Sequence, residues 1–175
     1  MISQIPINLI RFALLLFAQV LIFSNLNFSS FINPYIFPLF ILLLPFETPR
    51  WLLILLGFFS GLALDIFLGG NSAGMHAAAG LLIGYLRPFL ISIITPKGTE
   101  FEISPNIYSQ GVTWFAIYLG VAAAVYLGFY FVVEAATFYN FFFLLLKIIL
   151  STIFSVVFML IFLYLFSSRK KRRFV

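Results

Sequence analysis

The chain contains no cysteine and only one histidine, His76. Those absences exclude disulfide bonds, thiolate catalysis, iron–sulfur clusters and cysteine-based zinc sites, and a lone histidine cannot assemble a metal cluster. Charge is scarce as well: five Asp and Glu with ten Lys and Arg make up 9% of 175 residues, against about 25% in ordinary soluble domains. Catalytic patterns are missing too. There is no phosphate-cradling glycine loop before a Lys, no His-Glu-x-x-His, no serine with a neighbouring base and acid, and no paired-carboxylate motif of the lipid phosphotransferase kind. The expectation is a protein that is not an enzyme and carries no cofactor or metal.

Long apolar runs take up the space those groups leave. Hydrophobic residues account for 63% of the chain and the mean hydropathy is +1.16, which describes an integral membrane protein. A span needs about 20 apolar residues, and six segments between polar or Pro/Gly-rich breaks qualify: 6–23, 31–46, 50–68, 72–94, 110–133 and 139–166. The second is short and interrupted by Pro34, Pro38 and Pro45. The predicted fold is therefore all-α, one six-helix transmembrane domain over residues 1–168 with a basic tail at 169–175. The first segment is expected to be retained, because the SNLNFSSF that follows it lacks the small-x-small pattern of a cleaved leader. The 25 phenylalanines suit lipid contact and packing.

The net charge of +5 is concentrated at the C-terminus, where Arg169, Lys170, Lys171, Arg172 and Arg173 follow an apolar helix directly. A basic run in that place reads as a cytoplasmic stop that attracts anionic lipid, not as a nucleic-acid site. With six spans and a cytoplasmic tail, Arg50 and Lys97 fall on the inner side, Arg11 and Arg87 lie towards it, and the outer loops hold no Lys or Arg. Both termini are then cytoplasmic. The loop at 95–110 alternates Glu100 and Glu102 with Phe101 and Ile103, a pattern open to an ordinary solvated connector or to an edge that pairs with a partner.

Within the spans, small and polar residues recur at helical spacing. Gly57, Gly61 and Asp65 share one face of the third span, and His76, Gly80 and Gly84 share one face of the fourth. Glycines every four residues let helix backbones approach closely in lipid, and the short LGGNSAG connector makes these helices antiparallel neighbours. Packing the two faces together brings Asp65 and His76 near each other at the outer end. Asp65 then either caps a helix end or, with His76, forms a polar site for a partner or ligand. Lys147 lies roughly 12 Å into the last span, and Asp65 about 22 Å along a span of roughly 30 Å, so an Asp65–Lys147 pair is expected, with snorkelling of Lys147 to the interface as the alternative. Arg87, before Pro88, either snorkels inward or pairs with Glu47 in the PFETPR turn beside Arg50 and Trp51. Gly120, Ala124 and Gly128 form a further small face in the fifth span, a close-packing seam open to a helix of this chain or of another protein.

Residues 44–88, LPFETPRWLLILLGFFSGLALDIFLGGNSAGMHAAAGLLIGYLRP, resemble the core of the MreD family of bacterial rod shape-determining membrane proteins. The likeness extends to the N-terminal RF..L...QVLIF..LN, to INPYIFPLFILLLPF and to the basic tail, and is weakest over residues 95–140. It implies a non-enzymatic inner-membrane subunit of the cell-elongation machinery, working with MreC, the actin-like MreB, the glycosyltransferase RodA and its transpeptidase partner in lateral peptidoglycan synthesis. The family's six-helix fold is similar to substrate-binding subunits of energy-coupling-factor vitamin transporters. That similarity supplies a rival expectation, a small-molecule transporter subunit with a polar pocket lined by Asp65, His76 and Lys147.

Overall fold

The computed structural model describes residues 5–25, 32–69, 74–95, 105–135 and 140–166. Lys97, Glu100 and Glu102, the rest of the connector pattern and the basic run at 169–173 lie outside these residues. Every regular element among the described residues is helical. Lipid offers no hydrogen bonds to backbone, so each long apolar run must satisfy its own N–H and C=O groups, and a helix does this locally. α1 is Ile5–Ala18, continued by a wider π-helical turn over Gln19–Phe23. A four-residue helix α2, Leu39–Leu42, precedes α3, Arg50–Leu68, and α4, Met75–Ile94. The four-residue α5, Ile107–Gln110, leads into α6, Val112–Ala135, and α7 is Phe141–Phe166. Five of these helices are long and apolar enough to cross a membrane.

The difference from expectation falls at residues 31–46. They do not form a long helix: the described part is extended through residues 33–36, turns, and makes only the single turn of α2. Pro34 and Pro38 remove the donors and impose the backbone angles that a continuous helix would need. Non-helical backbone at membrane depth must be buried in protein, and this segment is, with all of residues 36–44 buried. It runs back alongside α1, since Gln19 meets residues 34 and 36 while Phe12 contacts Phe37 and Phe40 edge-on at 5.9 and 5.1 Å.

The extended stretch is held by side chains that imitate neighbouring strands. Backbone groups of successive strand residues point to opposite edges. On one edge the N–H groups of Asn33 and Tyr35 donate to Ser151 Oγ at 3.0 Å and Ser155 Oγ at 2.8 Å. On the other, Gln19 Nε2 donates to the Pro34 carbonyl at 3.3 Å and its Oε1 accepts from Ile36 N–H at 2.8 Å. The spacing matches: four residues of helix rise about 6 Å and two residues of strand about 6.6 Å.

α3 and α4 form an antiparallel hairpin whose turn is bounded by Gly69 at φ 61° and Gly74 at φ 85°. α6 lays Phe115, Leu119, Ala122, Ala123 and Leu127 into the interior between α4 and α7. The outer surface carries large apolar residues from Leu9 and Ile10 on α1 to Phe142 and Leu165 on α7. In water that would be a severe aggregation liability. In a bilayer it is the face presented to acyl chains.

Candidate functional site

The polar groups of the interior collect at the two ends of the α3–α4 hairpin, and the seam between those ends is made of glycine. A Cβ on Gly57 would strike the Gly80 carbonyl, one on Gly61 the His76 carbonyl, and one on Gly84 the Leu53 carbonyl. The backbones are therefore in direct contact and only hydrogen fits between them. Pro88 does not interrupt α4.

At the turn end, Asp65 in the last turn of α3 reaches across to the first turn of α4. Its Oδ1 accepts from His76 N–H at 3.2 Å and its Oδ2 from Ala77 N–H at 3.0 Å. The first N–H groups of any helix lack internal acceptors, and the residue in the cap position here, Gly74, has no side chain to supply one. Asp65 performs the capping from the neighbouring helix, and its negative charge also faces the positive end of the α4 dipole. Asp65 and His76 do come together, but through the histidine backbone.

The His76 side chain turns inward and is fully buried, at 0% exposure. Nδ1 lies 2.9 Å from Tyr126 Oη, the ring stacks on Tyr130 at 4.2 Å and 11°, and Tyr35 closes on it at 5.0 Å. Nε2 is buried with no hydrogen-bond partner among the described residues. Beyond Tyr130, its Oη donates to Glu134 Oε1 at 3.5 Å, and Glu134 Oε2 takes Lys147 Nζ at 2.7 Å. Lys147 also sits 4.3 Å above the Phe131 ring. The expected Asp65–Lys147 pair is thus not formed: both Asp65 oxygens are engaged by α4, and the lysine meets a carboxylate on α6 at the partly exposed rim.

At the opposite end of the hairpin Arg87 is the largest fully buried side chain, at 1% exposure. It neither snorkels nor meets Glu47, which is exposed. Nη2 donates to the carbonyls of Leu44 and, at 3.5 Å, Leu42; Nη1 donates to Pro45 at 3.3 Å, and Nε to Tyr118 Oη at 3.2 Å. Tyr118 Oη in turn donates to Leu42 at 3.3 Å. The last carbonyls of a helix have no internal donors. α2 ends there, and a cation is the complement of a helix C-terminus. Arg50 is exposed at the start of α3. The hairpin therefore carries one buried charge at each end, Asp65 and Arg87, each spent on the terminus of another helix.

The third small face makes no close helix contact among the described residues. A Cβ at Gly120 or Gly128 would meet nothing within 4 Å, and Ala124 is exposed. Sequence reasoning missed Gln19, Tyr35, Tyr118, Tyr126, Tyr130, Glu134, Ser151 and Ser155. The available signals were a glutamine and a Ser-x-x-x-Ser pair inside apolar runs, and three tyrosines on one buried face of α6.

Chemically, the arrangement consumes its polar groups in holding backbone: two carboxylate oxygens on N–H groups, a guanidinium on carbonyls, hydroxyls on an extended strand. The unengaged His76 Nε2 is the exception at this site. Comparison with family models, curated proteins and solved structures gives no match for this chain.

Proposed function

We propose that the protein is a member of the MreD family, a non-enzymatic multi-pass subunit of the bacterial cell-elongation machinery that links MreC, MreB, RodA and its transpeptidase partner. The observation that carries this reading is the coincidence of two things in residues 44–88. The stretch that resembles the family core is also the stretch whose buried charges, Asp65 and Arg87, and seam glycines, Gly57, Gly61, Gly80 and Gly84, hold the hairpin together. A rigid platform is what a scaffold requires, and none of those locking contacts is free to act on a substrate. In this reading the protein sits in the inner membrane with both termini cytoplasmic. Residues 32–45, broken as they are, make a sixth crossing in a fold similar to the energy-coupling-factor subunits. MreC docks at the end bearing the α3–α4 turn. The turn at 45–50, the connector at 95–110 and the tail face MreB or the synthases.

Photocrosslinkers placed in living cells at Asp65, at His76 and along Gly120, Ala124 and Gly128 test the assignment, with affinity purification alongside. The expected result is covalent capture of MreC from the turn end and its co-purification. Capture of MreC only from the 45–50 turn and the 95–110 connector overturns the arrangement, and failure to co-purify with any elongation protein overturns the function.

A second reading, a vitamin-type transporter subunit, is favoured by one feature: the unengaged His76 Nε2 among Tyr35, Tyr126 and Tyr130. Tight retention of a small molecule by the purified protein, lost in His76→Phe, would select this reading over the scaffold.

A further inference from the structure

At the end of the bundle opposite the α3–α4 turn, the foot of α3 does not stand level with its neighbours. Along the seam Gly61 faces His76, Gly57 faces Gly80 and Leu53 faces Gly84. Each step back along α3 is thus matched by a step forward along α4, and Arg50 at the start of α3 stands level with Arg87. α4 continues past that level to Ile94, about 10 Å further. α6 begins at the lower level too, since Trp114 Nε1 donates to Thr95 Oγ1 at 3.3 Å. The lengths agree: α3, with 19 residues, rises about 28 Å, and α6, with 24, about 36 Å.

The side chains at the two levels differ in kind. On the overhanging turns of α4, Phe89 and Ile93 are 60% and 63% exposed, and the exposed Ser92 returns its hydroxyl to the Phe89 carbonyl at 2.7 Å. That surface suits acyl chains. At the foot of α3, Glu47 and Arg50 are exposed and form no ion pair among the described residues, while Trp51 is 64% exposed. Charge at membrane depth needs water, protein or headgroups around it, and a cation beside tryptophan is the composition of a membrane–water boundary. An arginine side chain bridges part of a 10 Å depth by snorkelling; a glutamate is too short.

A flat boundary cannot satisfy both surfaces. Placed at Ile94 it leaves Glu47 and Arg50 among acyl chains, and placed at Arg50 it strips Phe89 and Ile93 of them. We propose that the boundary is stepped. Phospholipid headgroups descend to the foot of α3, where Arg50 holds a lipid phosphate beside the Trp51 indole, while acyl chains continue past that level along α4. The hydrocarbon is then about 10 Å thinner on the α3 side of the molecule, within the local thinning by which bilayers accommodate short spans. The step follows from geometry and exposure alone and is independent of the assignment to a family.

Depth-resolved tryptophan quenching tests the step. One full-length protein keeps Trp51 alone, through Trp114→Phe; a second carries Ile93→Trp together with Trp51→Phe and Trp114→Phe. Each is reconstituted in phosphatidylcholine vesicles whose acyl chains are brominated either just below the glycerol or near the terminal methyl. Residues 51 and 93 lie about 10 Å apart along the bundle, yet both reporters should read the same shallow depth, quenched more by the upper bromines than by the lower. A deep reading at Trp51 with a shallow one at position 93 means a flat boundary at the end of α4 and overturns the step. A shallow reading at Trp51 with position 93 quenched by aqueous iodide means a flat boundary at Arg50 and overturns it equally. Shielding of Trp51 from both lipids means that protein covers the foot of α3, and the step is again lost. Glu47→Leu combined with Arg50→Leu should shift the Trp51 reading deeper by up to about 10 Å; an unchanged depth overturns the phosphate contact.

Discussion

The α3–α4 seam and the outer face of α6 carry the same local pattern, small residues at every fourth position, yet they have opposite fates. Along the seam, Gly57, Gly61, Gly80 and Gly84 each lie against a backbone carbonyl of the facing helix. On α6, Gly120 and Gly128 have open space where a side chain would go. The pattern permits close approach without causing it. What causes it on the seam is the pair of polar locks at its ends, Asp65 on the α4 amides and Arg87 on the carbonyls around α2, together with a turn too short to let the helices separate.

Breaking the comparison should produce effects of both signs. The largest is expected from Gly57→Leu or Gly80→Leu. A side chain there displaces the facing backbone, so destabilisation should reach or exceed the upper end of the roughly 1–3 kcal/mol seen for overpacking. The readout is membrane level and thermal unfolding in detergent. Wild-type behaviour of either variant would mean that the seam is not a backbone contact.

Arg87→Leu comes next. It leaves the buried Leu44 carbonyl without its donor and takes one donor each from the carbonyls of Leu42 and Pro45, which keep Tyr118 and Thr48, at a cost of about 1–3 kcal/mol for a buried unsatisfied group. Protease accessibility around residues 42–49 should rise in step with the loss. Arg87→Lys should recover only part of the stability, since an ammonium cannot reach four acceptors in the planar fork that the guanidinium uses.

Asp65→Ala should cost about 1–2 kcal/mol, the usual value of a lost helix N-cap. Asp65→Asn, which keeps one acceptor, should cost less. A double-mutant cycle between Asp65 and Lys147 should give a coupling near zero, whereas Glu134 and Lys147 should couple by under about 1 kcal/mol, as partly exposed ion pairs do. A substantial Asp65–Lys147 coupling would show that the two charges meet after all.

The smallest effect reverses sign. Gly120→Ala or Gly128→Ala should stabilise the isolated protein by up to about 1 kcal/mol, because the helix gains propensity and no neighbour is struck. A loss of stability in dispersed, monomeric protein would place a hidden contact on that face. Loss of a partner in cells, with stability kept, would identify the stripe as an association surface.

Much of the interior could be read from the chain. Glycines and an aspartate four apart on one predicted helix, and a histidine and glycines four apart on the next, determine which faces can meet. The bounds of the third segment, 50–68, coincide with those of α3, because Pro49 and Gly69 mark both ends. The errors share one physical origin. Arg87 and Lys147 were matched to carboxylates by depth along a span, but depth does not specify angle about the helix axis. Nor does it register that a buried cation can be satisfied by carbonyls. The second segment misled because its composition is that of a span, and the local signal against it, three prolines, does not say what replaces the helix.

Composition alone determined that this chain lives in lipid: with 63% hydrophobic and 9% charged residues no aqueous core can be built, and backbone satisfied within helices is the solution for its long apolar runs. Helical spacing determined the glycine seam, since a period of 3.6 residues places every fourth residue on one face. Only the tertiary structure decided the partners of the polar groups. Gln19, Ser151 and Ser155 stand in for missing strands, Asp65 caps a helix other than its own, and Arg87 completes the end of α2. These contacts join residues from 11 to 120 positions apart, and a hydrogen bond depends on angle and distance between elements, which no local pattern encodes.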